Sequence, residues 1–172
     1  MRRTRGITLF EVLLASAVVL MVAGGATSLI IQGMRSFNMT YQQTAVSQEV
    51  SDALQYMNRD LEEAKAVTIV SPTRVQIFYP KTLADGSFDR SILDTSTYTE
   101  YYAATSNGSY SASGTFLVRK VYNKNYQRLC AGVSALSFTS PSPGSMDVSL
   151  SATGNNGASF EMIHRAIYLR NY

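Results

Sequence analysis

The chain has 172 residues, 45% of them hydrophobic and only 16% charged, against roughly 25% charged in an average soluble domain; that length suits one domain plus a small appendage. Its formal net charge is +3, and Arg2, Arg3 and Arg5 alone account for that excess, so the remainder is about neutral and the basic balance signals N-terminal topology rather than nucleic-acid binding. A single cysteine, Cys130, excludes an intrachain disulfide and reads as an apolar packing residue.

Residues 1–31 combine a basic head with a long apolar run, and Val12 to Ile31 contain no charge. Twenty residues of helix rise about 30 Å, enough to cross a bilayer core. Arginines before the run keep the N-terminus cytoplasmic and send the rest outward. Three readings compete. A cleaved secretory signal would use the small residues Ala23 to Ala26, yet apolar residues continue through Leu29, Ile30 and Ile31. A plain signal anchor has no use for Glu11, a carboxylate at the front of the run. Its cost, about 2.5–3.5 kcal/mol near the bilayer centre and less at the interface, points to a third reading.

Gly6-Ile7-Thr8-Leu9-Phe10-Glu11 followed by an uncharged helix resembles the class III signal of type IV pilins and type II secretion pseudopilins. The resemblance implies cleavage by a prepilin peptidase between Gly6 and Ile7, then N-methylation of Ile7. It also implies that Glu11 pairs with the N-terminal amine of a neighbouring subunit and sets the filament stagger. A cationic partner would offset a carboxylate that is expensive in lipid. Two departures narrow the match. Ile7 stands where the family most often has Phe or Met, and the proline that many major pilins carry partway down the helix is absent. Gly24, Gly25 and Gly33 offer weaker flexible points. The missing proline tilts the reading towards a minor subunit.

Beyond the apolar run, Val46, Val50, Leu54, Met57, Leu61 and Ala64 recur at helical spacing. Gln48, Glu49, Asp52, Arg59, Asp60, Glu62, Glu63 and Lys65 form the solvated face between them. The spacing predicts one helix from about Thr8 to Lys65. The period then changes to two. Ala66–Val70 and Arg74–Tyr79 form a hairpin around Ser71-Pro72-Thr73. Residues 80 to 96 read as a loop, Thr97–Ala103 as a strand and Thr105–Gly114 as a polar loop. Thr115–Tyr122, Val133–Thr139, Met146–Ala152 and Ser159–Arg170 complete an antiparallel sheet with polar turns between them. The predicted class is α+β: a long N-terminal α-helix, transmembrane in its first half, packed on an antiparallel β-sheet in a pilin-like arrangement. Its parts are a leader (1–6), a transmembrane or filament-core helix (7–31), an amphipathic continuation (32–65) and a β domain (66–172) with a variable region over 80–114.

The stretch from Ala53 to Ala64, with its Arg59-Asp60-Leu61, is similar to the helix end of J-type minor pseudopilins and W-type minor pilins. Val75–Tyr79 and Ala166–Asn171 resemble the same group. No catalytic constellation is present and no cofactor is implied. His164 lies in an alternating strand without a nucleophile motif around it and reads as structural. Asp60 and Glu63 share a helical face, but intrahelical pairing to Arg59 or Lys65 outweighs a metal site. Asp85 and Asp89 are too few for a calcium cage. Tyr98, Tyr101, Tyr102 and Tyr110 read first as half-buried strand residues and second as a contact surface.

The expected function is that of a minor pilin or pseudopilin, not an enzyme, assembled at the tip of a type IV pilus or type II secretion pseudopilus. The expected partners are the prepilin peptidase, other pilins through the N-terminal helix, an inner-membrane assembly platform and membrane lipid before assembly. The expected location is the bacterial cytoplasmic membrane, single-pass with the C-terminal domain exported, and then the filament. The alternative is a binding module for DNA, a surface or an exported substrate. A near-neutral exported part disfavours general DNA binding, which only a local patch of Lys120, Lys124 and Arg128 would restore.

Overall fold

The computed structural model describes residues 8–141, 144–154, 157 and 159–168. It has one helix and eight strands in the order α1 (Leu9–Glu62), β1 (Ala66–Ser71), β2 (Arg74–Thr82), β3 (Phe88–Ala104), β4 (Phe116–Val121), β5 (Tyr126–Ala131), β6 (Val133–Thr139), β7 (Ser145–Thr153) and β8 (Ser159–Tyr168). The class is α+β, with the helix packed on antiparallel sheet. Two compact units divide it, Met1–Tyr41 and Gln42–Tyr172.

In the first unit, α1 is unbroken because no proline interrupts it before Pro72. It is long and apolar enough to cross a membrane, and its most apolar window buries nothing within the chain. Two hydroxyls in the apolar run are satisfied along the helix. Ser16 Oγ donates to the Leu13 carbonyl at 2.9 Å and Thr27 Oγ1 to the Ala23 carbonyl at 2.8 Å. Such self-contained bonding is what a hydrocarbon environment requires.

In the second unit, α1 turns a stripe into the core. Val50, Ala53, Leu54, Met57 and Leu61 are all buried, at the spacing the sequence displays. The helix ends at Glu62, three residues short of the expected Lys65, where the β-branched run from Val67 to Val70 takes over. The Lys65 N–H already donates to the Phe78 carbonyl at 2.8 Å, so the exit joins the sheet directly.

Two sheets replace the single one expected. The first has order β1-β2-β3-β4-β5 and the second β6-β7-β8. All pairings are antiparallel, and each joins strands consecutive in the chain. Val75, Ile77, Tyr101, Leu117 and Cys130 of the first sheet share one core with Leu136, Phe138, Val148 and Leu150 of the second and with the helix stripe. Pro72 ties the sheets, its carbonyl accepting from the Phe138 N–H at 2.8 Å.

The pivot between sheets is Gly132, at φ +65°. Its carbonyl accepts from the Thr153 N–H at 2.7 Å, and a Cβ built there would lie 2.1 Å from the Thr153 carbonyl oxygen. Both the backbone conformation and the space demand glycine. Gly132→Ala is expected to lower stability by about 2–4 kcal/mol. An unchanged urea midpoint for the detergent-solubilised chain would show that the pivot tolerates a side chain.

Residues 80–96 are not a loop. β2 continues to Thr82, β3 begins at Phe88, and a short turn through Asp85-Gly86 joins them. Leu83 N–H donates to the Ser87 carbonyl at 2.8 Å and Gly86 sits at φ +83°. Both faces of this arm are largely solvated, so no apolar alternation marks it. β5 had no counterpart in the sequence reading, because a bulge opposite Leu117/Val118 breaks its period.

Candidate functional site

The first site is the start of α1. Thr8 and Glu11 form a capping box. The Thr8 N–H and hydroxyl donate to Glu11 Oε2 at 2.9 and 3.1 Å, and the Glu11 N–H approaches Thr8 Oγ1 at 3.3 Å. Both bonds fall on one carboxylate oxygen. Oε1 accepts nothing among the described residues. Below Glu11 the helix surface carries a shallow trough lined with Val12, Ala15, Ser16 and Val19. Short side chains there permit a close helical neighbour. Arg2, Arg3, Arg5, Gly6 and Ile7 lie outside the described residues, as does the side chain of His164.

The second feature corrects the sequence reading. Asp60 is not on the solvated face: it is 3% exposed. Arg119 of β4 clamps it, Nε to Oδ2 at 2.7 Å and a terminal nitrogen to Oδ1 at 3.1 Å. The Tyr101 hydroxyl donates to Asp60 Oδ2 at 2.7 Å. Burial and the adjacent Asp60 carboxylate push the Tyr101 hydroxyl far above its ordinary value. Hydrogen bonding to Asp60 raises the Arg119 guanidinium. Beside them Tyr79 donates to Thr99 Oγ1 at 2.9 Å, and burial pushes its hydroxyl up to about 12. A buried carboxylate with a bidentate guanidinium and a phenol has its acceptors filled. This cluster fastens α1 to the sheet, with no open position for a substrate.

Asp85, Asp89 and Asp94 each accept from the backbone and hydroxyl of the serine two residues on, Ser87, Ser91 and Ser96. These local bonds hold Asp94 down to about 2. Among the described residues no three metal-ligating side chains converge. Cys130 is buried in the core, and burial, then the Glu49 carboxylate, pushes its thiol up to about 12. Glu49 Oε2 itself accepts from the Ala131 N–H at 3.2 Å. A maleimide should react with Cys130 on the order of 100-fold more slowly in the folded chain than in urea. Equal rates would mean that this corner opens.

The outer face of the five-stranded sheet is aromatic and polar. Phe78, Tyr98 and Tyr122 form a row with ring centroids 5.7 and 5.1 Å apart. Glu100 accepts from Arg74 at 2.7 Å and from Gln76. Residues 105–114 fold over the far end, where Tyr102 donates to the Gly108 carbonyl at 3.1 Å. Tyr110 meets Ser71 at 2.9 Å. The tyrosines therefore divide: Tyr101 and Tyr102 are buried, while Tyr110 stays exposed.

No family model, curated protein or solved structure matches this chain.

Proposed function

We propose that this chain is a minor pilin or pseudopilin, a structural subunit that a prepilin peptidase trims after Gly6 and that then enters a type IV pilus or a type II secretion pseudopilus. The observation that carries the reading is Glu11, a carboxylate in the first turn of a helix otherwise uncharged through Ile31. A membrane anchor gains nothing from that charge, while a bundle of such helices can match it with a cation. The available Oε1 suits this role. Once Gly6 leaves, the amine of Ile7 supplies one cation per subunit, and Glu11 of one chain meets the amine of the next.

The remaining parts fit around that pairing. The apolar half of α1 holds the precursor in the cytoplasmic membrane, with Arg2, Arg3 and Arg5 retained inside. The β domain is exported and faces outward from the helical core. Partners are neighbouring pilins and the inner-membrane platform whose motor drives assembly. Similarity of the Ala53–Ala64 helix end to the J- and W-type groups favours a position at the tip.

The test is the N-terminus of the mature protein, read by mass spectrometry in cells with and without prepilin peptidase. The expected result is a chain beginning at N-methylated Ile7 only where the peptidase is present. A Met1 start in both strains would leave a signal anchor, and a start near Ser28 an ordinary secreted domain.

A further inference from the structure

Charge is segregated along the exported part of the chain. Residues 49–100 carry nine acidic side chains and five basic ones, while residues 101–146 carry Arg119, Lys120, Lys124 and Arg128 and no acid. Arg119 faces inward and is consumed by Asp60. The other three are exposed and enter no ion pair among the described residues.

The β4–β5 hairpin gathers them on the outer face. Cross-strand partners point to one side of a sheet. Lys120 is paired with Tyr126 and Val118 with Arg128. Tyr122 follows Lys120 on the same face, two residues on. Lys124 sits in the connecting turn, where Asn123 takes φ 58°. The result interleaves cations and rings: Lys120, Tyr122, Lys124, Tyr126, Arg128. Tyr122 and Tyr126 are 42% and 43% exposed. Both are braced from one side, Tyr122 by Tyr98 and Tyr126 by Gly108, where a Cβ would lie 2.4 Å from its ring. Arg128 is held 4.0 Å over the Phe116 ring and donates to the Ser106 carbonyl at 2.8 Å. The one acid in residues 98–131 is Glu100, across from Lys120, and Arg74 and Gln76 already engage it.

We propose that this face, Lys120, Tyr122, Lys124, Tyr126 and Arg128, binds single-stranded nucleic acid. Braced, half-exposed rings offer stacking platforms to unpaired bases, and cations four positions apart along the hairpin, alternating with those rings, track a phosphate backbone. A duplex keeps its bases stacked on each other and leaves the tyrosines unused. The assignment is independent of the filament reading, because it is measured on the purified chain.

The experiment follows fluorescence anisotropy of a dye-labelled oligothymidylate with the detergent-solubilised full chain across a salt series. Arg2, Arg3 and Arg5 are present in every variant, so only differences count. Lys120→Ala/Lys124→Ala/Arg128→Ala should weaken binding at least ten-fold and reduce the log–log salt slope by about 2, at roughly 0.7 per phosphate contact. Lys120→Ala/Lys124→Ala spares the Arg128 contacts with Phe116 and Ser106 and should still reduce the slope by about 1.4. Tyr122→Leu and Tyr126→Leu should each weaken binding about five-fold or more with the slope unchanged. Affinity unaltered in the cation variants would place any binding on the N-terminal arginines and overturn the proposal. Tyrosine variants without effect, or a duplex bound as tightly as the single strand, would make the face a general polyanion surface and overturn it equally.

Discussion

Arg119→Ala is expected to destabilise the fold by about 3–5 kcal/mol, because it strands a buried carboxylate. Asp60 is 3% exposed, so water cannot replace the guanidinium without opening the helix–sheet seam. The reverse change should cost less. Arg119 keeps 19% of its side-chain surface exposed, so after Asp60→Ala its charge can turn towards solvent. The order of the two losses is therefore a test of where the penalty lies. Urea titration of the detergent-solubilised chain measures both, and an Asp60→Ala variant the less stable of the two would refute this account. Asp60→Leu/Arg119→Met should recover much of the loss, since an apolar pair needs no compensation. Alkali probes the same cluster. Tyr79 and Tyr101 have hydroxyls raised above their unfolded value, so their contribution is intact below about pH 10. It is lost as pH rises, through about 12 for Tyr79, because the unfolded chain releases those protons first.

On the filament reading, Glu11→Val should abolish incorporation into filaments while membrane insertion is retained or improved. The substitution removes a charge that is expensive in lipid and with it the partner of the neighbouring amine. It also removes the capping box with Thr8, worth about 1 kcal/mol to the helix start. Glu11→Gln separates the two effects. Glutamine serves the box as well as glutamate but carries no charge. Immunoblots of sheared filaments and of membrane fractions read both outcomes. Assembly that survives in Glu11→Gln and fails in Glu11→Val would assign the role to the cap and end the amine-pairing account.

The helix and most strands were legible because their burial is periodic. Val50, Leu54, Met57 and Leu61 show their spacing in the bare sequence and all reach the core. β6 falls on the expected Val133–Thr139. Asp60 was misread as solvated because it is charged. Yet it stands three residues after Met57 and four before Ala64, on the buried side of the same stripe. A carboxylate at such a position signals a distant cation, here Arg119, 59 residues away. The 80–96 arm and β5 escaped notice for the opposite reason: neither alternates, since each is exposed on both faces or broken by a bulge. Nor does any period announce the second sheet, whose separation rests on one backbone turn at Gly132. At the start of α1, Glu11 was conspicuous from sequence alone, whereas its bonds to Thr8 needed coordinates. Lys120, Lys124 and Arg128 stand four residues apart, a spacing that shares one face of a helix or of a strand alike. The hairpin folds Arg128 back beside β4, opposite Val118.

Each strand in both sheets pairs only with strands adjacent to it in the chain, and that has a consequence for how the domain is made. A chain delivered end-first, from a ribosome or through a membrane pore, presents β2 when β1 is already out, and β3 when β2 is. No segment has to wait unpaired for a distant mate, so the exposed edge at any moment is one strand wide. Loop-closure cost stays small at every step. The bonds that must wait lie outside the strand pairings: the clasp between Asp60 and Arg119 cannot close until β4 has emerged, and the Phe138 N–H reaches the Pro72 carbonyl only once β6 has. Until then the helix stripe is covered only by what β2 and β3 bring to the core, Val75, Ile77 and Tyr101, and that interval is when an emerging chain would most need shelter from its neighbours.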